Sequence, residues 1–284
     1  MELRHIATHD GRLSAFLKGE LKMSTGLMNK LKWGDAIRVN GVPQHTDFAV
    51  APGDVITVAL DEPAPEYPAQ VGKLTVLYED DHILAVDKPA GMLIHPSHSQ
   101  FTDTLANFVV GYYEATGQKS AFHPVTRLDR DTFGVVILAK NSHIHTLLQN
   151  AEVEKIYHGY VFGGPEEAFG RIDAPIARRP LPSLLRCISP EGKPSITEYT
   201  VLARGEGVSL LALRPITGRT HQLRLHCAYK GFPILGDPQY GSAESQSLSR
   251  ELGYTHQRLC AKRVTFIHPI TEEKVTIVSD MDAR

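Results

Sequence analysis

Apolar residues recur along this chain in two rhythms, and the change between them divides it. From Leu13 the spacing is helical: Leu13, Phe16, Leu17 and Leu21, then Leu27, Met28 and Leu31, predict two short helices. After Gly34 the pattern turns to alternation, in AIRVNGVPQ around the tight-turn pair Asn40-Gly41 and in Val55 to Val58 behind Pro52-Gly53, and predicts short strands. Residues 61 to 72, DEPAPEYPAQVG, hold Pro63, Pro65 and Pro68 with little apolar content, so they read as a semi-extended linker.

From Lys73 onward short strand-like runs dominate: Leu74 to Tyr78, Ile83 to Val86, Val135 to Ala139, Tyr157 to Phe162, Thr197 to Leu202, Val208 to Leu213, Val264 to Ile267 and Val275 to Val278. Helical stripes are fewer: Leu105, Phe108, Val109 and Tyr112; Ile144, Leu147 and Leu148 behind Ser142 as N-cap; and Arg219 to Lys230, stopping at Gly231. Irregular alternation of this kind predicts an α+β fold with a mixed, largely antiparallel central sheet and flanking helices, rather than a doubly wound parallel sheet. The expected organisation is a small N-terminal module over residues 1 to 60, the linker 61 to 72 and a larger domain over 73 to 284, two units being what 284 residues should hold.

One place crowds charge against core. RLDRD (127–131) sets Arg127, Asp129, Arg130 and Asp131 before Val135 to Leu138, which is apolar at every position in the manner of a buried strand. A carboxylate at the mouth of such a strand is costly unless it is paired. The cluster is either a surface turn whose charges neutralise one another or an active-site loop in which Asp129 reacts and Arg127 positions a polyanion. A glycosidase pair of Asp129 and Asp131 is disfavoured, because residues i and i+2 of an extended segment point to opposite faces. Asp131 and Thr132 suit a turn before the strand.

Composition narrows the classes. With 42% hydrophobic and 22% charged residues the chain can bury a sizeable core, and it has neither a signal-peptide-like start nor an apolar run of about 18 residues. A cytoplasmic protein without a membrane partner is expected. Cys187, Cys227 and Cys260 are odd in number and widely spaced, which argues against a disulfide framework or a zinc ribbon. Among 14 histidines, His95, His98 and His123, or His221 and His226, invite a metal reading. HExxH is absent and no acidic residue completes a site, so no metal is expected. Neither GxxxxGKS/T nor GxGxxG occurs, so no nucleotide cofactor is expected. A net charge of −2 gives no global signature of nucleic-acid binding. Locally, though, Arg12, Lys18, Lys22, Lys30, Lys32 and Arg38 outnumber Glu20 and Asp35, which makes residues 12 to 38 a phosphate-facing patch or a solvated helix surface. Nothing suggests a self-complementary face, and a monomer is expected.

The basic helix pair followed by RVNG and PGDVI resembles the S-four-type (alpha-L) RNA-binding module. RLDRDT, then Gly134 and an apolar strand, resembles the signature of the RluA-type RNA pseudouridine synthases. The segments YEDDHILAVDKPAGMLIHP, KIYHGYVFG, TGRTHQLRLH, GDPQYG and RLCAKRVTFIHP fall in that family's order, so the resemblance spans residues 73 to 284 nearly end to end. It implies a pseudouridine synthase fold and a cofactor-free isomerase acting on uridines of structured RNA, ribosomal more than transfer RNA. Carried over by position, it implies Asp129 as the catalytic aspartate and Arg127 as the cation that helps place the flipped nucleotide. It further implies Tyr157 as the ring stacked on the target base, Arg219 as the arginine paired with the carboxylate, and Leu259 as a lining of the base pocket. The alternative is a non-catalytic RNA-binding protein on a degenerate synthase scaffold, which would have little reason to keep Arg127, Asp129, Tyr157 and Arg219 together. Three positions depart from the family pattern: Thr126 for a usual His, Phe133 for a usual Ser and Cys260 for a usual His. Phe133 is expected to add bulk beside the active loop.

Overall fold

The structure is a computed structural model describing residues 2–61, 66–97, 99–180, 182–183 and 185–283; Pro63 and Pro65 of the expected linker, and His98, lie outside the described residues. The N-terminal part runs β1 (Glu2–Ile6), β2 (Gly11–Arg12), α1 (Leu13–Gly19), α2 (Thr25–Leu31), β3 (Ile37–Val39), β4 (Val42–Pro43), β5 (Ala49–Val50) and β6 (Val55–Ala59). The helical stripe works as expected: Leu13, Phe16, Leu17, Leu21 and Met28 are buried in a core drawn entirely from residues 3 to 60. Its sheet has the order β1-β6-β3-β4. β1 was not legible, since ELRHI offers Leu3 as its one fully buried side chain. Asn40 (φ 51°) and Gly41 (φ 79°) make the tight turn between β3 and β4. Asn40 also explains why RVNG and PGDV belong together. Its Oδ1 accepts from Val55 N at 2.9 Å and its Nδ2 donates to Asp54 Oδ1 at 2.7 Å, which joins the two segments side by side.

The remainder comprises β7 (Val76–Glu79), β8 (Ile83–Lys88), α3 (Leu105–Ala115), β9 (His123–Pro124), β10 (Phe133–Ala139), α4 (Ser142–Asn150), β11 (Val153–Phe162), β12 (Phe169–Asp173), β13 (Ile176–Arg178) and β14 (Arg186–Ile188). It continues with β15 (Ile196–Arg204), β16 (Val208–Pro215), α5 (Gln222–Tyr229), α6 (Ala243–Glu251), β17 (Leu259–Ile267) and β18 (Lys274–Val278). A ten-stranded sheet follows the order β12-β15-β16-β11-β17-β10-β8-β7, with β18 on β17 and β9 on β10. All its pairings are antiparallel except β10 with β17, so the fold is α+β with a mixed, largely antiparallel sheet, as expected. The solid apolar run of β10 has a simple cause. Val135 and Ile137 face α4 with Ile144 and Leu148, while Val136 and Leu138 face α3 with Leu105, Val109 and Tyr113. A strand covered on both faces has no polar side.

Two helix starts differ from expectation. The N-cap of α4 is Asn141, whose Oδ1 accepts from Ile144 N at 2.9 Å, and not Ser142. α5 begins at Gln222 rather than Arg219, because His221 adopts left-handed backbone (φ 58°). The polar α6 has no apolar stripe to announce it, only Ser242 as N-cap.

Buried histidines make stability depend on pH. His226 of α5 is fully buried, with Nε2 3.0 Å from Ala174 O and Nδ1 2.9 Å from Thr197 Oγ1. The carbonyl requires Nε2–H, so Nδ1 accepts from the threonine and the neutral ring fits. Burial lowers the pKa of His226, and likewise of His82, His143 and His145, below the ordinary 6.5. The unfolded chain therefore binds more protons than the folded one as pH falls below 6.5, and stability is lost in that window. The urea midpoint is expected to drop between pH 7.5 and 5.5, with a shallower slope in His226→Gln. An unchanged or rising midpoint would contradict the assignment.

Candidate active site

The RLDRD loop lies between β9 and β10 and is tied down from several sides. Thr132 N donates to Asp129 O at 3.2 Å, closing a turn with Arg130 and Asp131 at its centre. Lys88, at the end of β8 and fully buried, donates to Arg130 O (2.9 Å), Pro89 O (2.9 Å) and Met92 O (2.8 Å). Burial pulls its pKa down to about 7. The contacts act the other way: three carbonyls call for three N–H groups, which the ammonium has and the neutral amine lacks. Lys88, opening the Lys88-Pro89-Ala90-Gly91 segment, is thus an anchor of the acidic loop. The signal was an Asp-Lys pair closing an otherwise apolar strand. On the far side Gln257 Nε2 donates to the buried Thr132 Oγ1.

Asp129 is met by Arg224, not by Arg219. Arg224 Nη1 donates to Asp129 Oδ2 at 3.0 Å. The same guanidinium grips Asp237 with Nε (2.7 Å) and Nη2 (2.8 Å), and Nη2 also reaches Gln239 Oε1 at 2.8 Å. Tyr240 covers it, with its ring centroid 5.2 Å from Cζ. The side chains of Arg224 and Asp237 are 6% and 1% exposed, that of Asp129 29%. Burial opposes the charge on Arg224, but the hydrogen bonds and negative charge of Asp237, followed by those of Asp129, outweigh it and raise its pKa. Arg219 lies outside: it is exposed and donates through Nε to Pro194 O at 3.2 Å. The late start of α5 is the cause. Arg224 falls in the first turn of the helix facing the loop, whereas Arg219 stays in the preceding turn. Gln222 Oε1 organises that turn by accepting from Arg219 N (3.0 Å) and Thr217 Oγ1 (2.8 Å). GDPQYG thereby gains a purpose that the sequence reading missed: its Asp237 and Tyr240 hold Arg224.

Two further observations complete the surroundings of Asp129. Asp129 Oδ1 accepts no hydrogen bond among the described residues, so one carboxylate oxygen is clamped and the other is left unpaired by them. His221 Nε2 stands 3.9 Å from Asp129 Oδ2, and its Nδ1 lies 2.9 Å from the Tyr240 hydroxyl. Burial lowers the His221 pKa, against the pull of Asp129.

Tyr157 follows a β-bulge: the β11–β17 register shifts between Ile156 and Tyr157. Burial, then the charge of Asp129, pushes the phenol pKa up, so the hydroxyl keeps its proton. Leu259 is 3% exposed, in the apolar cluster against which Tyr157 packs. It backs the ring more than it offers open surface. Arg127 is exposed, two residues before Asp129.

The three departures have local explanations. Thr126 is buried, and its Oγ1 accepts from Ile137 N at 2.9 Å. Phe133 and Cys260 are partners across the parallel β10–β17 pair and share one small cluster with Ala283, Ala90, Tyr160 and Met281. A large side chain where the family has a small one sits beside a small one where the family has a large one. The bulk of Phe133 is therefore taken up within this cluster, which includes Ala90 of the turn that follows Lys88. Gly134 must stay glycine: its φ is 108°, and a Cβ there would lie 2.5 Å from Ala261 O.

Of the six basic residues nominated in the N-terminal part, Arg12, Lys18, Lys30 and Arg38 are exposed and Lys32 is half-buried. Lys22 is engaged elsewhere. Its Nζ donates to Glu272 Oε1 (2.6 Å) and Pro269 O (3.1 Å), and His143 Nε2 meets Leu21 O at 2.9 Å beside it. Lys22 thus links the N-terminal part to the larger one through a surface ion pair. Among the described residues, no group of three or more His, Cys, Asp or Glu could hold a metal ion, and no helix is long and apolar enough to cross a membrane.

The family model described as RNA pseudouridylate synthase matches residues 82–229. The uncharacterised RNA pseudouridine synthase YjbO of Bacillus subtilis is 33% identical over 264 residues, covering 90% of this chain and 91% of that protein. The ribosomal large subunit pseudouridine synthase D of Zymomonas mobilis is 32% identical, covering 80% and 74%. Among solved structures, human RNA pseudouridylate synthase domain containing 1 superposes with a TM-score of 0.61 at 26% identity, covering 75% of this chain and 86% of that one.

Proposed function

This chain belongs to the RNA pseudouridylate synthase family, isomerases that convert RNA uridine to pseudouridine, and from that premise we propose that it modifies ribosomal RNA with Asp129 as its catalytic carboxylate. One observation carries the assignment: a partly exposed carboxylate held through a single oxygen by a buried arginine that is itself locked by Asp237. The reaction breaks the C1′–N1 bond, turns the base and forms C1′–C5. The C5 proton leaves and N1 gains one, so mass and electrons balance without a carrier. Asp129 acts on the ribose through its unclamped oxygen. Tyr157, its phenol protonated, serves as a platform for the extruded base and not as a proton acceptor. Arg127 takes a flanking phosphate.

Residues 1–60 act as an S-four-type RNA-binding module, joined by 61–72 to a catalytic domain over 73–284; their separate core supports this division. A ribosomal substrate is supported by relatives named ribosomal large subunit synthases, such as the C-type enzyme of Vibrio cholerae, 29% identical over 96% of this chain. Pseudouridine mapping in cells with and without the protein tests the substrate. Loss at one or a few ribosomal positions is expected; loss confined to transfer RNA would redirect the assignment, and no loss would remove it.

A further inference from the structure

Trp33, the chain's single tryptophan, is 78% exposed just beyond the end of α2. Lys32 Nζ lies over its ring, 5.1 Å from the centroid, and the His45 ring meets it edge-on at 5.9 Å. Lys30 and Arg38 are exposed nearby in sequence, while Leu27, Met28 and Leu31 of α2 turn into the core. The ring contacts given for the indole are a cation, Lys32, and a polar ring, His45, while the apolar side chains of α2 belong to the core. A largely exposed indole with lysine against its ring matches an unpaired nucleotide: the base stacks on the ring and the phosphate meets the ammonium.

We propose that Trp33 is a stacking platform for an unpaired base of the RNA substrate, outside the active site, with Lys32 and Lys30 on the adjoining phosphates. The proposal rests on the RNA-binding reading of residues 1–60. Lys22 and His143 fasten this part to the catalytic one, so a base held at Trp33 lies at a set displacement from Asp129. The site would then contribute to the choice of uridine.

Because the chain has one tryptophan, its fluorescence reports this site alone. Titration of the full chain with a single-stranded oligouridylate is expected to quench the emission saturably, and with a blunt duplex to quench it little. Trp33→Ala is expected to raise the oligouridylate Kd about tenfold, read by anisotropy of labelled RNA, and Trp33→Phe to restore most of it. With ribosomal RNA fragments, Trp33→Ala should raise KM and leave kcat unchanged. Oligouridylate binding with unaltered emission, or an Ala variant that binds equally well, would overturn the proposal and leave Asp129 untouched. An emission shift that follows protein concentration without RNA would overturn it in favour of self-association. Turnover surviving in Asp129→Asn alongside normal quenching would instead sink the catalytic assignment and spare Trp33.

Discussion

Asp129→Asn is expected to abolish isomerisation while RNA affinity stays near that of the wild type. Asparagine keeps the shape of the side chain and can still accept a hydrogen bond from Arg224 Nη1, so the loop anchored by Lys88 and Gln257 should hold its place. What it lacks is the negative oxygen that acts on the ribose. A loss of roughly 10⁴-fold or more in rate is in keeping with removal of a reacting side chain elsewhere. Tritium release from RNA labelled at uridine C5 reads the chemistry, and filter retention reads the binding. Wild-type turnover in this variant would end the assignment of Asp129.

Arg224→Met is expected to cost both stability and activity, and a second substitution should separate the two. The arginine is 6% exposed and its partner Asp237 is 1% exposed, so removing the cation strands a buried carboxylate. Breaking a buried pair in this way costs about 3–5 kcal/mol. Adding Asp237→Leu removes the stranded charge and should recover much of that stability in urea unfolding, without recovering turnover, since nothing then holds Asp129. Arg219→Ala is the contrast. It loses one hydrogen bond at the surface, and its stability should stay within about 0.5 kcal/mol of the wild type. A severe defect in Arg219→Ala with a mild one in Arg224→Met would reverse the two roles.

The two arginines show where sequence reasoning stops. TGRTHQLRLH contains both, at positions equally suited by charge, and the choice depends on where the helix begins. That start is set by left-handed backbone at His221 and by Gln222, which ties the TGRT turn to the start of β15 at Ile196 O (2.9 Å). Neither is visible in a spacing pattern. Lys22 is a similar case: as one of six cations it matched a phosphate contact, but Glu272, 250 residues away, claims it. Phe133 and Cys260 looked like separate departures until the parallel pairing of β10 and β17 made them neighbours.

What the sequence determined by itself was local or periodic: the helical stripe of the N-terminal part, the doubly covered strand β10, the turn at Asn40-Gly41 and the polar loop bearing Asp129. Each follows from side-chain periodicity or backbone preference within a few residues, so the chain carries the information in readable form. The tertiary structure alone decided which charges meet. Arg224 with Asp129 and Asp237, Lys88 with Arg130 and Lys22 with Glu272 join residues far apart in sequence. Buried polar groups must find partners, and which partner lies within 3 Å depends on sheet order and helix start, which no local pattern encodes.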